Sequence, residues 1–270
     1  MILASFAFSF ICFVLIGLYA ASKARGCTED YLLASRSVSA PVAGISATAS
    51  LMSGFMFIGY IGMVYKLGFY ATYFFWGEVF GLLMLTPWAY KGIQRLSKDE
   101  GTQTYTGLLT PKNSPLDSPL AKFISLLTLI FLLIYASAQL MAGGKALNDI
   151  FGWPAFSGIL LTAVVLLCYS YTGGIRSSIW TDCAQAVVMF IAMIALCYAG
   201  LSHIGGLSAL YQRLYDIDPN LVSMSPFGAK AALLFAGGWL FIGLAIFAMP
   251  HVLIRYMVCL LYTSPSPRDA

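Results

Sequence analysis

Residues 169–190 read YSYTGGIRSSIWTDCAQAVVMF. One apolar run, Ala155–Tyr171, enters this stretch and another, Ile179–Leu201, leaves it. Gly173 and Gly174 predict a tight turn between them, with Arg176 in the polar phase beside it. Two apolar runs joined by so short a turn read as a pair of membrane-crossing helices. Trp180, Thr181, Asp182 and Gln185 open the second of them. A carboxylate at a helix N-terminus is favoured by the backbone amides, so Asp182 is expected to cap that helix.

Composition extends this reading to the whole chain. Apolar residues make up 60% and charged residues 10%, where an ordinary soluble domain carries roughly 25% charged residues. A chain so poor in charge could not cover a surface in water, whereas lipid demands such a composition. The net charge of +4 is small and forms no basic nucleic-acid face, so no nucleic-acid partner is expected. Cys12, Cys168, Cys183 and Cys197 lie in apolar stretches, Cys27 in a short loop and Cys259 near the end. No pair has metal-ligand spacing, and His203 and His251 are far apart, so buried free thiols are expected and no cofactor is implied.

A membrane crossing needs about 20 mostly apolar residues. Seven segments are read as spans: Ile2–Ala21, Val42–Met63, Gly68–Tyr90, Ala121–Gly144, Ala155–Tyr171, Ile179–Leu201 and Ala231–Pro250. The first is long for a signal peptide and lacks a small-residue cleavage site, so it is read as retained. An outside N-terminus places Lys23, Arg25, Arg36, Lys91, Arg95, Lys98, Lys112, Lys122, Arg176 and Arg255 on the cytoplasmic side. Only Lys66, Lys145, Arg213 and Lys230 then lie outside, which sets the orientation. Leu207, Leu210, Tyr211 and Leu214 recur at helical spacing and predict an amphipathic surface helix. The polar segment Lys91–Ser118, with Pro111, Asn113 and Pro115, reads as a flexible connection.

Three features point to chemistry. The second span holds Gly44, Ser46, Thr48, Ser50, Ser53, Gly54, Gly59 and Gly62. Small residues let helices approach closely; alternatively, the helix is interrupted near Ser50–Gly54, freeing carbonyls and a half-helix N-terminus for ligands. Glu78 falls in the middle of the third span, as an ion-pathway carboxylate or a hydrogen-bonded structural acid. Lys145 and Asp149 lie near the outer end of the fourth span, where a solvated or snorkelling side chain is expected. A membrane enzyme would need convergent His, Asp, Glu or Cys groups at one boundary, and none are found.

The 169–190 stretch resembles the signature of the sodium/solute symporter family, a Tyr-Thr-x-x-Gly-Gly turn before Trp-Thr-Asp-x-x-Gln, with Ser170 in place of the Thr. Asp30–Arg36 resembles that family's first cytoplasmic loop, and Ala49–Gly54 its broken first core helix. Pro250-His251 followed by Arg255-Tyr256-Met257 resembles the end of its second broken helix. The resemblance covers residues 1–258. It implies an all-α polytopic membrane protein with the inverted-repeat (LeuT-like) carrier fold, truncated to about seven transmembrane helices. Residues 1–258 would hold the extra helix, the first five-helix repeat and the first helix of the second repeat. Residues 259–270, CLLYTSPSPRDA, turn abruptly polar. Leu260–Ser264 back-translate to a library adapter, so this tail is expected to be non-native.

The resemblance further implies sodium-coupled symport of a small organic solute, such as proline, across the plasma (inner) membrane. The carbonyls of Ala49 and Met52 would bind Na⁺, with hydroxyl partners on a helix beyond this chain. Gly54, Phe55 and Tyr135 would line the substrate pocket, and Arg36 and Asp182 would serve coupling and the inner pathway. The chain departs from the proline carriers at Leu51, where they have an Asp, and at Ile242 and Ile246, where they have aromatic residues. The competing reading is the membrane sensor domain of a transporter-like histidine kinase. Partners are the solute, Na⁺ and the bilayer; the oligomeric state is not read.

Overall fold

The computed structural model describes residues 2–111 and 118–259. The expectations for Lys112, Asn113 and Pro115, and for the tail from residue 260 onward, lie outside the described residues. The described chain is all-α and polytopic. Its helices are α1 (Ile2–Ser22), α2 (Thr28–Leu33), α3 (Ala40–Leu51), α4 (Tyr60–Leu67), α5 (Thr72–Asp99) and α6 (Tyr105–Leu109). They continue with α7 (Pro119–Phe151), α8 (Ala155–Ile204), α9 (Leu207–Ile217), α10 (Ala229–Ala245) and α11 (Pro250–Met257).

Among the described residues, length and apolarity qualify four helical stretches as membrane spans, and a fifth if the bent pair α10 and α11 is one crossing. The expected second span is cut into α3 and α4, each shorter than a bilayer needs. The expected fifth span survives only as a shorter apolar stretch, Ala155–Cys168, at the start of α8. At Gly174 the α8 backbone leaves the helical region (φ 56, ψ −144), where the Gly-Gly turn was expected. A Cβ there would stand 2.3 Å from the Tyr31 carbonyl oxygen, so only glycine fits the approach of α2.

Large apolar side chains face outward, among them Phe8, Leu15, Phe131 and Phe190. Lipid solvates such groups, so helix association must come from close packing instead. The α5–α10 contact illustrates this: a Cβ on Gly81 would meet the Gly243 backbone at 2.5 Å, and one on Gly243 the Gly77 carbonyl at 2.6 Å. Elsewhere α1, α3 and α7 pack on α8, and α11 packs on α3 and α5. Buried apolar clusters lie where α11 meets α2, α3 and the second half of α8, around Leu33, Ile179, Leu253 and Met257 and around Ala47, Ile246, Val252 and Tyr256.

That end carries most of the basic residues and is called the basic end below. The described part of the flexible connection expected there is instead largely helical. Helix α5 runs on to Asp99 because Gln94 and Ser97 are buried against the Cys259 carbonyl and Arg36. Helix α6 is capped by the Thr104 hydroxyl, which accepts from the Gly107 N–H, and Tyr105 donates to the Ala248 carbonyl. Cys259, placed by sequence in the foreign tail, is buried and bridges to Val38. The amphipathic helix around Leu207–Leu214 is present as α9.

Candidate functional site

Two helix breaks each touch α7. In the first, α3 ends at Leu51, Met52 takes φ −73 and ψ 68, and the chain becomes helical again at Gly54. Its first turn is a π-helix, Phe55–Gly59. A run of small residues makes this cheap, because few side-chain contacts are lost when the ladder opens. The donors are redistributed. Met52 N–H goes to the carbonyls of Ala49 at 3.1 Å and Thr48 at 3.3 Å, and Ser53 N–H to Leu51 at 2.8 Å. Met56 N–H serves the Ser53 carbonyl instead of that of Met52. Ala49 keeps one donor, which leaves a second lone pair on its oxygen.

The second break separates α10 from α11, which are bent by 46°. A 3-10 turn, Ile246–Ala248, leads to an extended Met249 (φ −72, ψ 121), and Pro250 starts α11. Proline suits a first helical position because its missing N–H would have had no partner there.

Helix α7 touches both breaks with side chains one turn apart. Gln139 Oε1 accepts the Gly54 N–H at 2.6 Å, the bond an unbroken helix would give to Ser50. Tyr135 stacks on His251, with ring centroids 4.9 Å apart and planes at 20°, and its hydroxyl has Ser53 as a hydrogen-bond partner. His251 Nδ1 is buried with no partner among the described residues. Two cavities flank these contacts. One, about 480 Å³, is bordered by Gly54, Phe55, Gln139 and Lys145; the other, about 500 Å³, by Tyr105, Phe131, Tyr135 and His251. The three expected pocket residues are therefore divided, with Gly54 and Phe55 on one cavity and Tyr135 on the other. Lys145, expected to be solvated or snorkelling, is exposed and borders the first.

At the basic end the charges are tied together. Asp182 lies eight residues beyond Gly174, inside the helix, so it does not cap it. Its Oδ2 instead accepts from Ser46 at 2.6 Å and pairs with Arg255 Nη2 at 2.7 Å. Arg255 also donates to Ser46 Oγ at 2.9 Å and Ser178 Oγ at 3.2 Å, linking α11 to α3 and α8. Arg36 donates to Ser97 Oγ at 2.8 Å and to the carbonyls of Thr102 at 2.9 Å and Met257 at 3.4 Å. Asp30 is buried and pairs with Arg176. Burial alone would raise its pKa; the Arg176 guanidinium, the Ser35 hydroxyl and the Arg25 N–H outweigh that and hold it at about 2.

Glu78 stands apart. It is half-buried on α5 beside Gly243 of α10, with no hydrogen bond or ion pair to its carboxylate among the described residues. Sequence reasoning did not single out Gln139, or the partnership of Arg255 with Asp182 and Ser46. Gln139 had a signal, being a lone amide in an apolar run one turn after Tyr135. The Arg255 pairing had none, because its members lie far apart in the chain.

Residues 31–260 match the sequence model of the sodium:solute symporter family. The chain belongs to that family. It is 26% identical over 245 residues to the high-affinity proline transporter PutP of Bacillus subtilis, covering 90% of this chain and 51% of that protein. It is 27% identical over 261 residues to the osmoregulated proline transporter OpuE of the same organism, covering 95% and 51%. A sodium/proline symporter of Staphylococcus aureus is 28% identical over 255 residues, covering 92% and 48%. The chain thus spans about half the length of the curated relatives it matches. The family is one of transporters, and its membership agrees with a multi-pass membrane protein built from apolar helices.

Proposed function

We propose that this chain is part of a sodium-coupled symporter for a small organic solute, working by alternating access in the plasma (inner) membrane with its N-terminus outside. The observation that carries the reading is the break at Met52–Ser53. There the Met52 carbonyl loses its usual helical donor and the Ala49 carbonyl keeps a free lone pair, in the middle of an apolar bundle. Carbonyl oxygens suit a hard cation such as Na⁺. Residues 1–258 supply the extra helix, the first repeat and the opening helix of the second. Hydroxyl ligands from the second repeat complete the sodium site. The ten-to-four bias of Lys and Arg supports the orientation, putting the basic end in the cytoplasm.

In this reading Gly54, Phe55 and Tyr135 contact the solute in succession, since they border cavities on either side of the α7 contacts. Asp182 and Arg36 keep the cytoplasmic side shut. Sodium bound from outside favours the outward-open state that also binds solute, and this shared preference couples the two. Proline is a candidate solute, because relatives bearing that name align along most of the chain. The test is uptake into proteoliposomes by the protein expressed from its complete coding sequence. Uptake driven by an inward sodium gradient is expected. Uptake indifferent to sodium and responsive to a proton gradient would replace Na⁺ by H⁺ as the coupling ion.

A further inference from the structure

We infer that residues 102–109 form a strap across α11, and that Tyr105 is its releasable end, a positioning residue whose hydroxyl holds the second break in its bent form. The inference rests on the alternating-access reading and names the contact that must part when the basic side opens.

The strap is tied to both ends of α11. At the Pro250 end, the break takes from the Ala248 carbonyl its usual helical donor, since Val252 N–H goes to the Met249 carbonyl at 3.1 Å. The Tyr105 hydroxyl donates to the Ala248 carbonyl in its place, at 3.0 Å. At the Met257 end, the Arg36 guanidinium donates both to the Met257 carbonyl at 3.4 Å and to the Thr102 carbonyl at 2.9 Å. Between these ties, Tyr105 and Leu108 pack on the buried cluster that holds Leu253 and Met257. The Thr106 hydroxyl, 3.0 Å from that of Ser125, joins the strap to α7.

The two ends differ in strength. Arg36 also donates to Ser97 Oγ at 2.8 Å and to the Ser97 carbonyl at 3.2 Å, and charge-assisted bonds are roughly twice as strong as neutral ones. Its backbone is committed as well: Ala34, Ser35 and Arg36 take φ of 49, 51 and 50. Residues other than glycine hold that left-handed conformation only where their surroundings enforce it. Here Ser35 Oγ donates to Asp30 Oδ1 at 2.6 Å and Arg176 to the Ala34 carbonyl at 3.1 Å. Tyr105 makes one neutral bond, at an exposed position. When α11 swings, the Tyr105 end parts first and the Arg36 end stays as the pivot. The cavity that Tyr105 borders together with Tyr135 and His251 then opens on the basic side.

The test uses the intact protein in detergent. Thr128→Cys places a thiol on α7 at this cavity, and Ala138→Cys places one at the other cavity as a control. Alkylation by a water-soluble maleimide is followed at each position by mass spectrometry, so the native cysteines stay in place. Tyr105→Phe should speed alkylation at position 128 by roughly fivefold, the size of one neutral hydrogen bond, with no rise at position 138. Arg36→Gln should speed it by about tenfold or more, because it frees the stronger end. An unchanged rate at position 128 in Tyr105→Phe, an equal rise at both positions, or a smaller effect of Arg36→Gln than of Tyr105→Phe would each overturn the proposal. If Arg36→Gln does not fold, Tyr105→Phe decides by itself. The expected pattern in a protein whose uptake ignores sodium would strike the symport reading alone. Sodium-driven uptake with position 128 unmoved by Tyr105→Phe would strike the strap alone.

Discussion

On the basic side of the two helix breaks, Arg36, Arg176 and Arg255 are each held by an acidic residue and by hydroxyl or carbonyl oxygens from other elements. On the far side, Lys66, Glu78 and Lys145 have no ion-pair partner among the described residues, and Lys145 borders a cavity. Among the described residues all three ion pairs lie on the basic side. A buried ion pair holds helices in one arrangement because separating its members strands a charge. The basic side is therefore latched by these pairs, and the other side carries no such latch among the described residues. In the symport reading proposed above, this latch is what would hold the cytoplasmic side closed.

The latch should give the largest effects. Asp182→Leu or Arg255→Leu alone is expected to lower stability by about 3–5 kcal/mol, because the remaining partner is left charged and buried. The double substitution should cost much less than the sum, measured by thermal unfolding in a double-mutant cycle. Additive losses would mean that the two side chains do not act together.

Close helix packing comes next. Gly243→Leu should destabilise by about 1–3 kcal/mol, since the added side chain meets the Gly77 and Glu78 backbone of α5. A protein of unchanged melting temperature would show that α5 and α10 stand further apart. Gln139→Leu should cost about 1–2 kcal/mol by orphaning the Gly54 N–H. Unlike Gly243→Leu, it should also weaken apparent sodium affinity, because it loosens the break itself. Equal sodium affinity in wild type and Gln139→Leu would separate the amide from the ion site.

The contribution of Asp30 is read from its pH dependence. Its folded pKa of about 2 lies below the ordinary 3.8. The stability it contributes is present above pH 4 and is lost as pH falls from there through about 2. Asp30→Asn should therefore flatten the decline of melting temperature over that window, and an unchanged decline would place the acid sensitivity elsewhere.

Much of this architecture was legible in the chain because lipid imposes strict rules. Apolar length marked α1, α5, α7 and the second half of α8, and Gly173-Gly174 marked the turn between halves. The break near Ser50–Gly54 could be anticipated from small residues, but its geometry could not, since the partner of Gly54 N–H sits 85 residues away on Gln139. Asp182 was misread as a cap because local sequence shows only nearby amides, while its partners Ser46 and Arg255 lie 136 and 73 residues distant. The length of α5 was hidden for a similar reason. Its polar last turns are helical because Arg36 and Cys259 bind Ser97 and Gln94, contacts that a local reading treats as loop.

Amide hydrogen exchange across residues 49–56 of the intact protein, with sodium replaced by an equal concentration of a bulky organic cation, tests the central claim most directly. Sodium should slow exchange at Met52–Gly54 and nearby, because an ion held by the loosened carbonyls would pin the break. Identical exchange with and without sodium would contradict the account.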